Sequence, residues 1–416
     1  MNLNNIEILQ KKGVNIPNPS TVFIGDDVDL ERISPDGVTL FSGTKLTGER
    51  TLIMPGAVLG YEAPVTVENC LMGPGTKLHG GYFQDTVFMG DNAFGSGGHV
   101  RTGCILEEQA NAAHTVGLKQ TILFPFVTLG SLINFCDCLM AGGTSRKDHS
   151  EVGSSFIHFN YTPNQDKATA SMMGNVHQGV MLNQRPVFLG GQGGLVGPVR
   201  IAFGCISAAG SIIRNNELRC NRLIMGGTMK NASIQWRPGL YTRPGSILTE
   251  NIYYISGLYA LKAWYCFIRT LFTWDWMSQA LVSGLQKNID LCIQERIKRL
   301  NAFGDKLESS KKILLQKGKG QGSQALAAHD AVLEKLSRAS QIFDQAENDL
   351  KTPGPDGEQF IEYIDIQSIH NKKDYVGTIQ GLDESISIIG SAWLKGIEDR
   401  IVGAFGIEAA SNKKSG

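Results

Sequence analysis

The sequence predicts a left-handed parallel β-helix built of hexapeptide repeats over residues 1–250, followed by an α-helical bundle or coiled-coil domain over residues 251–416. Three observations carry that reading. Apolar and small residues recur every six positions, glycine content falls sharply near residue 250, and helical spacing takes over beyond it.

The six-residue period is clearest over residues 189–213. Leu189, Leu195 and Ile201 fall six apart, and so do Gly193, Val199, Cys205 and Ser211. Neither an amphipathic helix nor strand alternation has this period. A coil with three flat sides does, because each side takes one hexapeptide. The aliphatic residue fills the narrow interior, and the small residue sits beside it without crowding the next rung. IGDDVD from Ile24, MGDNAF from Met89 and VGSSFI from Val152 repeat the theme. Gly and Asn near the corners permit sharp turns. The pattern slips over residues 106–119 and 163–172, where loops are expected to leave the coil.

Most of the 49 Gly residues precede position 251, and Lys, Glu, Gln, Ala and Leu rise afterwards. Residues 256–285 are aromatic-rich and apolar, but Lys262, Arg269 and Asp275 argue against a membrane span. The expectation is a helix packed on the base of the β-helix or on a neighbouring subunit. Residues 286–316 carry Ile289, Ile293, Ile297 and Leu300 at helical spacing. KGKGQGS (residues 317–323) reads as a linker, residues 324–351 as helix, TPGPDG (352–357) as a stop, and residues 386–405 as a further helix. The tail SNKKSG is expected to fray. No chemistry is recognisable in this region.

Lys and Arg number 39, as do Asp and Glu, so no nucleic-acid partner is expected. The N-terminal residues lack the apolar core of a signal peptide, and the eight Cys residues form no C-x-x-C pair. A reducing cytoplasm is the simplest compartment. Cys136 and Cys138 share one face of a strand and read as core packing.

The first half resembles the C-terminal acetyltransferase domain of the bifunctional UDP-N-acetylglucosamine pyrophosphorylase/glucosamine-1-phosphate acetyltransferase family. The resemblance enters at GVNIPNPSTVFIGDDVDL (from Gly13), continues through GHVRTGCIL (from Gly98) and is strongest over residues 152–215. There VGSSFIHFNYTPNQDKAT resembles the family's Asn-Tyr loop, and FLGGQGGLVGPVRIAFGCISAAGSII resembles its last coils. The resemblance implies a homotrimer, acetyl-CoA as co-substrate and an amino sugar phosphate or sugar nucleotide as acceptor. It likens Arg101 to the arginine that holds substrate phosphate, Asn160 and Tyr161 to residues shaping the cleft, and Gly191, Ala208 and Ala209 to the coenzyme groove. Lys119 and Lys167 lie near the family's sugar-binding lysines. No Gly-rich L-x-x-G-x-G-T-x-M segment opens the chain, so nucleotidyl transfer is not expected.

The family's catalytic histidine lies about two dozen residues before the Asn-Tyr pair, where this sequence has Asp137. Asp137, His158 and His149 are therefore the candidate bases. Asp137 needs a raised pKa to act as a base, and its plainer reading is a corner carboxylate bonding backbone amides. His158 alternates with Ile157 and Phe159, which predicts that it faces away from the core. His149 follows a polar SRKD stretch. His79, His99 and His114 lie in the coil region, but their surroundings do not resemble the metal-binding class that shares this coil, and no metal is expected. The first functional expectation is transfer of an acyl group from a CoA thioester to an amino sugar phosphate. The alternative is a catalytically degenerate β-helix that binds a sugar nucleotide or serves as a scaffold.

Overall fold

The computed structural model describes residues 3–226, 231–233, 235–316 and 323–407. The expected parallel β-helix is present, with helices following it. Helix α1 (Leu3–Lys12) packs Ile6 and Leu9 into the first coil. The coil then climbs with three sides.

Side 1 starts at Phe23–Ile24 and passes through Lys45–Thr47, Val65–Glu68, Gly81–Gln84 and Gly98–Val100. It continues through the first halves of Gly117–Leu123 and Asn134–Met140, then Ile157–Phe159, Gly194–Val196 and Ile212–Ile213. Side 2 runs from Leu52–Ile53 through Leu71–Met72, Thr86–Phe88 and Cys104–Leu106. The second halves of the two seven-residue strands follow, then Ser171–Met173 and Arg200–Ile201. Side 3 is a ten-stranded ladder from Thr39–Leu40 to Leu223–Ile224. The seven-residue strands serve two sides because they bend at Gln120 and Asp137, whose φ angles are 50° and 61°.

Strand alternation sends every second residue inward. On side 1 the interior row includes Leu46, Val67, Phe83, Val100, Leu118 and Phe135. One expected loop is absent: residues 106–119 stay in the coil. Gln109 and Thr115 turn its corners at φ 59° without glycine, so the hexapeptide pattern slips while the path does not. Residues 160–170 do leave the coil, between the strands Ile157–Phe159 and Ser171–Met173.

Side 2 differs from the others in being apolar outside as well as inside. Leu71, Val87, Ile105, Ile122, Leu139 and Met172 share its outward row, and all are buried. Helices cover them. After α2 (Val176–Gly179) at a corner, α3 (Pro244–Ala263) brings Gly257 against Met172. A π turn over Trp264–Ile268 and a 3-10 turn over Arg269–Phe272 lead into α4 (Trp276–Gln316). Gly284 of α4 sits on Leu71, where a Cβ would come within 2.6 Å of the leucine side chain. Twelve residues later Arg296 reaches Asp137. Twelve helical residues rise about 18 Å, and the four coil steps from Leu71 to Leu139 rise about 19 Å. Helix α4 therefore runs along the coil axis, close to one helical turn per rung.

The aromatic segment thus lines a side of the coil and not its base, because side 2 offers a continuous apolar surface. Burying each large apolar residue there contributes roughly 1.5–3 kcal/mol. Polar contacts fix the seating. The Tyr265 hydroxyl donates to Glu107 at 2.7 Å. Arg269, almost wholly buried, pairs with Glu108, and its guanidinium lies 3.6 Å from the centre of the Tyr375 ring. The expected helix over 324–351 is two, α5 (Gln324–Ser337) and α6 (Ala339–Asp349), divided at Arg338. Helices α7 (Gly354–His370), α8 (Tyr375–Gln380) and α9 (Glu384–Ala404) complete the region. His177 of α2 and Glu398 of α9, 2.9 Å apart, tie it back to the coil. Among the described residues no helix is long and apolar enough to cross a membrane. The SNKKSG tail and most of the 317–323 linker lie outside the described residues.

Candidate functional site

Side 1 and its two edges hold most of the residues that the sequence singled out. Arg101 and Lys119 stand on adjacent rungs, since His99 pairs with Gly117 and Val100 with Leu118. Both point outward, in one column with Cys136. The Arg101 guanidinium lies 3.8 Å from the Cys136 sulfur. One column across, Tyr82 and His99 stack with ring centres 5.5 Å apart, and the Tyr82 hydroxyl donates to Glu68. Two cations one strand spacing apart on an open sheet face can take a phosphate between them.

The edge between sides 1 and 2 is closed. Asp137 occupies the corner, as the sequence suggests, but only 4% of it is exposed. One carboxylate oxygen accepts from Arg296 of α4 at 2.6 Å, and the other accepts from the Asn160 amide at 2.6 Å. Arg296 is itself 1% exposed. The expected bonds from backbone amides are replaced by two side chains, one of them from the helical region. That partner lies 159 residues away in sequence, and no local pattern reveals it.

The Asn-Tyr loop is held by the same helices. Lys306 donates to the carbonyls of Asn164 and Gln165, Arg296 to that of Lys167, and Asn251 to that of Ala168. The Tyr241 hydroxyl and Thr162 both donate to Asp166 at 2.6 Å. Lys167 thus meets the site through its backbone. Tyr161 is exposed, at the open end of the loop.

His158 does not face outward. The alternation runs the other way: Ile157 and Phe159 are exposed, and His158 takes the interior row beside Leu195. Its Nδ1 donates to the Cys136 carbonyl at 2.6 Å, which leaves Nε2 to accept from the Ser171 hydroxyl at 2.8 Å. Burial lowers its pKa by disfavouring the charged ring. A polar side chain is tolerated inside the coil because both ring nitrogens are satisfied. His149 lies apart from the others, in the hairpin formed by Gly143–Ser145 and Asp148–His149 at the edge between sides 2 and 3. Its Nε2 is 3.8 Å from Glu151. Asp137 and His158 are therefore neighbours whose polar atoms are already partnered, and His149 does not join them.

At the edge between sides 3 and 1, Gly153, Gly191 and the Ala208–Ala209 pair lie on three successive rungs. A Cβ on Gly190 would meet the Ala209 nitrogen at 2.5 Å, so glycine there is required by the stacking of the rungs. Among the described residues these positions present only small side chains. The edge could accept the pantetheine arm of a coenzyme through backbone groups, and it offers no charged side chain of its own. Among the described residues no group of three His, Cys, Asp or Glu side chains is arranged to hold a metal ion.

No family model matches the chain. Curated relatives do. The bifunctional protein GlmU of Thermotoga maritima is 24% identical over 216 residues, 51% of this chain and 42% of the relative. That of Thermus thermophilus is 28% identical over 195 residues, 46% of this chain and 37% of the relative. That of Corynebacterium aurimucosum is 23% identical over 231 residues, 56% and 42%. The chain spans about two-fifths of the length of these relatives. With the parallel β-helix in place, the similarity that half of this chain shows to these proteins is to their acetyltransferase-type hexapeptide coil.

Proposed function

We propose that the chain is an acetyltransferase-like β-helix protein that binds an anionic sugar phosphate or sugar nucleotide on side 1, without acyl transfer at the Asp137 corner. The observation that carries this reading is the buried Asp137–Arg296 pair. A general base must reach the proton it removes, directly or through one water. Both oxygens of Asp137 are taken by protein donors, and α4 stands where the acceptor amine would have to enter. The Arg101–Lys119 column remains open and supplies the phosphate-binding wall. Residues 1–250 would be the ligand-binding domain and residues 251–416 the domain that closes side 2.

A homotrimer, if formed, would use sides 1 and 3, because side 2 is covered. The outward apolar residues of the later coils fit this arrangement: Ile157 and Phe159 on side 1, and Phe188, Ile206 and Leu223 on side 3, are all exposed.

Acyl transfer from acetyl-CoA remains the second reading, favoured by the relatives and by the small side chains at Gly191, Ala208 and Ala209. In that chemistry the amine attacks the thioester carbonyl, a base takes the ammonium proton and the CoA thiolate leaves. Backbone amides would stabilise the oxyanion.

Calorimetry with glucosamine-1-phosphate, UDP-N-acetylglucosamine and acetyl-CoA, beside a free-thiol release assay, separates the two readings. Binding of a phosphorylated sugar that Arg101→Ala and Lys119→Ala both weaken, without thiol release, supports the proposal. Thiol release that Asp137→Asn abolishes at an unchanged melting temperature would overturn it, as would no binding of any of the three.

A further inference from the structure

The helical region carries a cleft that the coil's chemistry does not use. Helices α7 and α9 lie side by side, and Gly390 lets them approach: a Cβ there would come within 2.6 Å of the Phe360 ring. Between them opens a cleft of about 230 Å³, floored by Phe360 and walled by Tyr363, Ile366, Ile386 and Ile389. Ile366 is 50% exposed, and Ile369, one turn further along α7, is 63% exposed. Tyr363, Ile366 and Ile369 form one stripe at helical spacing on α7. Isolated surface isoleucines are ordinary, but here Tyr363 and Ile366 line the cleft and Ile369 extends their stripe beyond it, the kind of exposed apolar patch that marks interaction sites.

The two helices that form this cleft are acidic, and Glu362 lines it. Asp356, Glu358, Glu362 and Asp365 lie on α7, and Asp383 and Glu384 open α9. All six are exposed, and none has an ion-pair partner among the described residues. The sequence from Pro353 to Ile369 contains no Lys or Arg, and neither does that from Gly381 to Leu394. In a chain of zero formal charge, six carboxylates on the two helices that form one apolar cleft, without an ion-pair partner among the described residues, are a segregated field. They would repel a second copy of the same surface and favour a cationic occupant.

We propose that the α7–α9 cleft docks a basic amphipathic helix from a partner protein. The apolar face of such a helix would enter between Ile366 and Ile389, and its flanking Lys and Arg residues would meet the acidic side chains of the two helices. This is the helix-in-groove mode, in which apolar anchors at i, i+3 or i+4 and i+7 give affinity and flanking charge gives selectivity. The cleft is lined by α7 and α9 alone and shares no residue with the Arg101–Lys119 column.

The test uses the full chain and a labelled model peptide of about 15 residues, with Leu at helical i, i+3, i+4 and i+7 positions and Lys elsewhere. A scrambled peptide of the same composition serves as control. Fluorescence anisotropy should show the patterned peptide binding about tenfold or more tightly than the scrambled one. Raising the salt from roughly 50 mM to roughly 300 mM should weaken it several-fold. Ile366→Asp, at a half-exposed position, should reduce affinity about tenfold with unchanged circular dichroism. Glu362→Lys combined with Asp365→Lys should do the same and lessen the salt dependence. Equal affinity for both peptides, no binding, or binding indifferent to Ile366→Asp would overturn the proposal. A concentration-dependent dimer that Ile366→Asp abolishes would also overturn it, because the occupant would then be a second copy.

Discussion

Replacing Arg296 by methionine tests whether the Asp137 corner is architecture or chemistry. The substitution keeps the length and apolar stem of the side chain and removes its charge. Asp137, 4% exposed, is left with the Asn160 amide as its remaining side-chain donor. Removing one partner of a buried ion pair costs about 3–5 kcal/mol, because the remaining charge stays desolvated. An unfolding entropy near 2.1 cal/mol/K per residue, over about 400 residues, converts 4 kcal/mol into a drop of about 5 °C in melting temperature. Asp137→Leu alone should cost a similar amount, since it strands Arg296. The double variant should recover most of the loss, because apolar residues of similar volume replace a buried pair at little cost. Thermal and urea denaturation of the four proteins give the coupling energy, expected to exceed about 2 kcal/mol. Additive costs, or a melting temperature for Arg296→Met within about 1 °C of the parent, would refute the claim that the pair holds α4 on the coil.

Further outcomes follow from other contacts. Glu107 is fully buried against Tyr265, Arg269, Glu108 and Tyr375, and burial lifts its carboxyl to about 7 from an ordinary 4.5. Its folded-state pKa lies above the unfolded one, so its stabilising effect is complete below about pH 4.5 and is lost as pH rises towards 7. The slope is at most about 1.4 kcal/mol per pH unit for one proton. Urea titrations across that window should flatten in Glu107→Gln, and an unchanged profile would contradict the assignment. Gly284→Leu places a side chain where Leu71 already lies and should lower stability by about 1–3 kcal/mol through overpacking. Proteolysis of the helical region should then accelerate while the coil keeps its far-ultraviolet signal. Phe188→Lys and Ile206→Lys on side 3 should leave the melting temperature nearly unchanged, since both are exposed. Light scattering would show dissociation only if side 3 is an assembly surface.

The coil was legible because its period is a local property: Leu189, Leu195 and Ile201 announce it within 13 residues. The corner position of Asp137 was legible from the turn chemistry of an aspartate and not from the period. What occupied that corner was not, because Arg296 arrives from a helix with its own local logic, and one of two arginines in QERIKR gives no sign of burial. His158 was misplaced for a different reason. Alternation fixes two rows but not which row is inside, and two flanking apolar residues suggested the wrong one. Ile157 and Phe159 face out on an apolar surface patch, while two hydrogen bonds make a histidine acceptable within. The slip over residues 106–119 misled because Gln109 and Thr115 turn corners that glycine usually takes. The helices were readable one by one. Their docking on side 2 was foreshadowed by the uniformly apolar outward row of Leu71, Val87, Ile105 and Ile122, which a count of hexapeptides passes over.

Helix α4 also changes how this solenoid can evolve. In an uncovered coil each rung touches only its neighbours, so rungs can be gained or lost with a local cost. Here a rigid rod spans the rungs from Leu71 to Leu139 and is pinned at both ends, by Gly284 on Leu71 and by Arg296 on Asp137. Adding or deleting one rung between those pins would offset them by about 4.8 Å, close to one turn of the helix. A compensating change would have to insert three or four residues into α4 at the matching height. The two halves therefore act as paired scales whose divisions agree only at this rung number, and length variation should be confined to coils outside the interval that α4 measures.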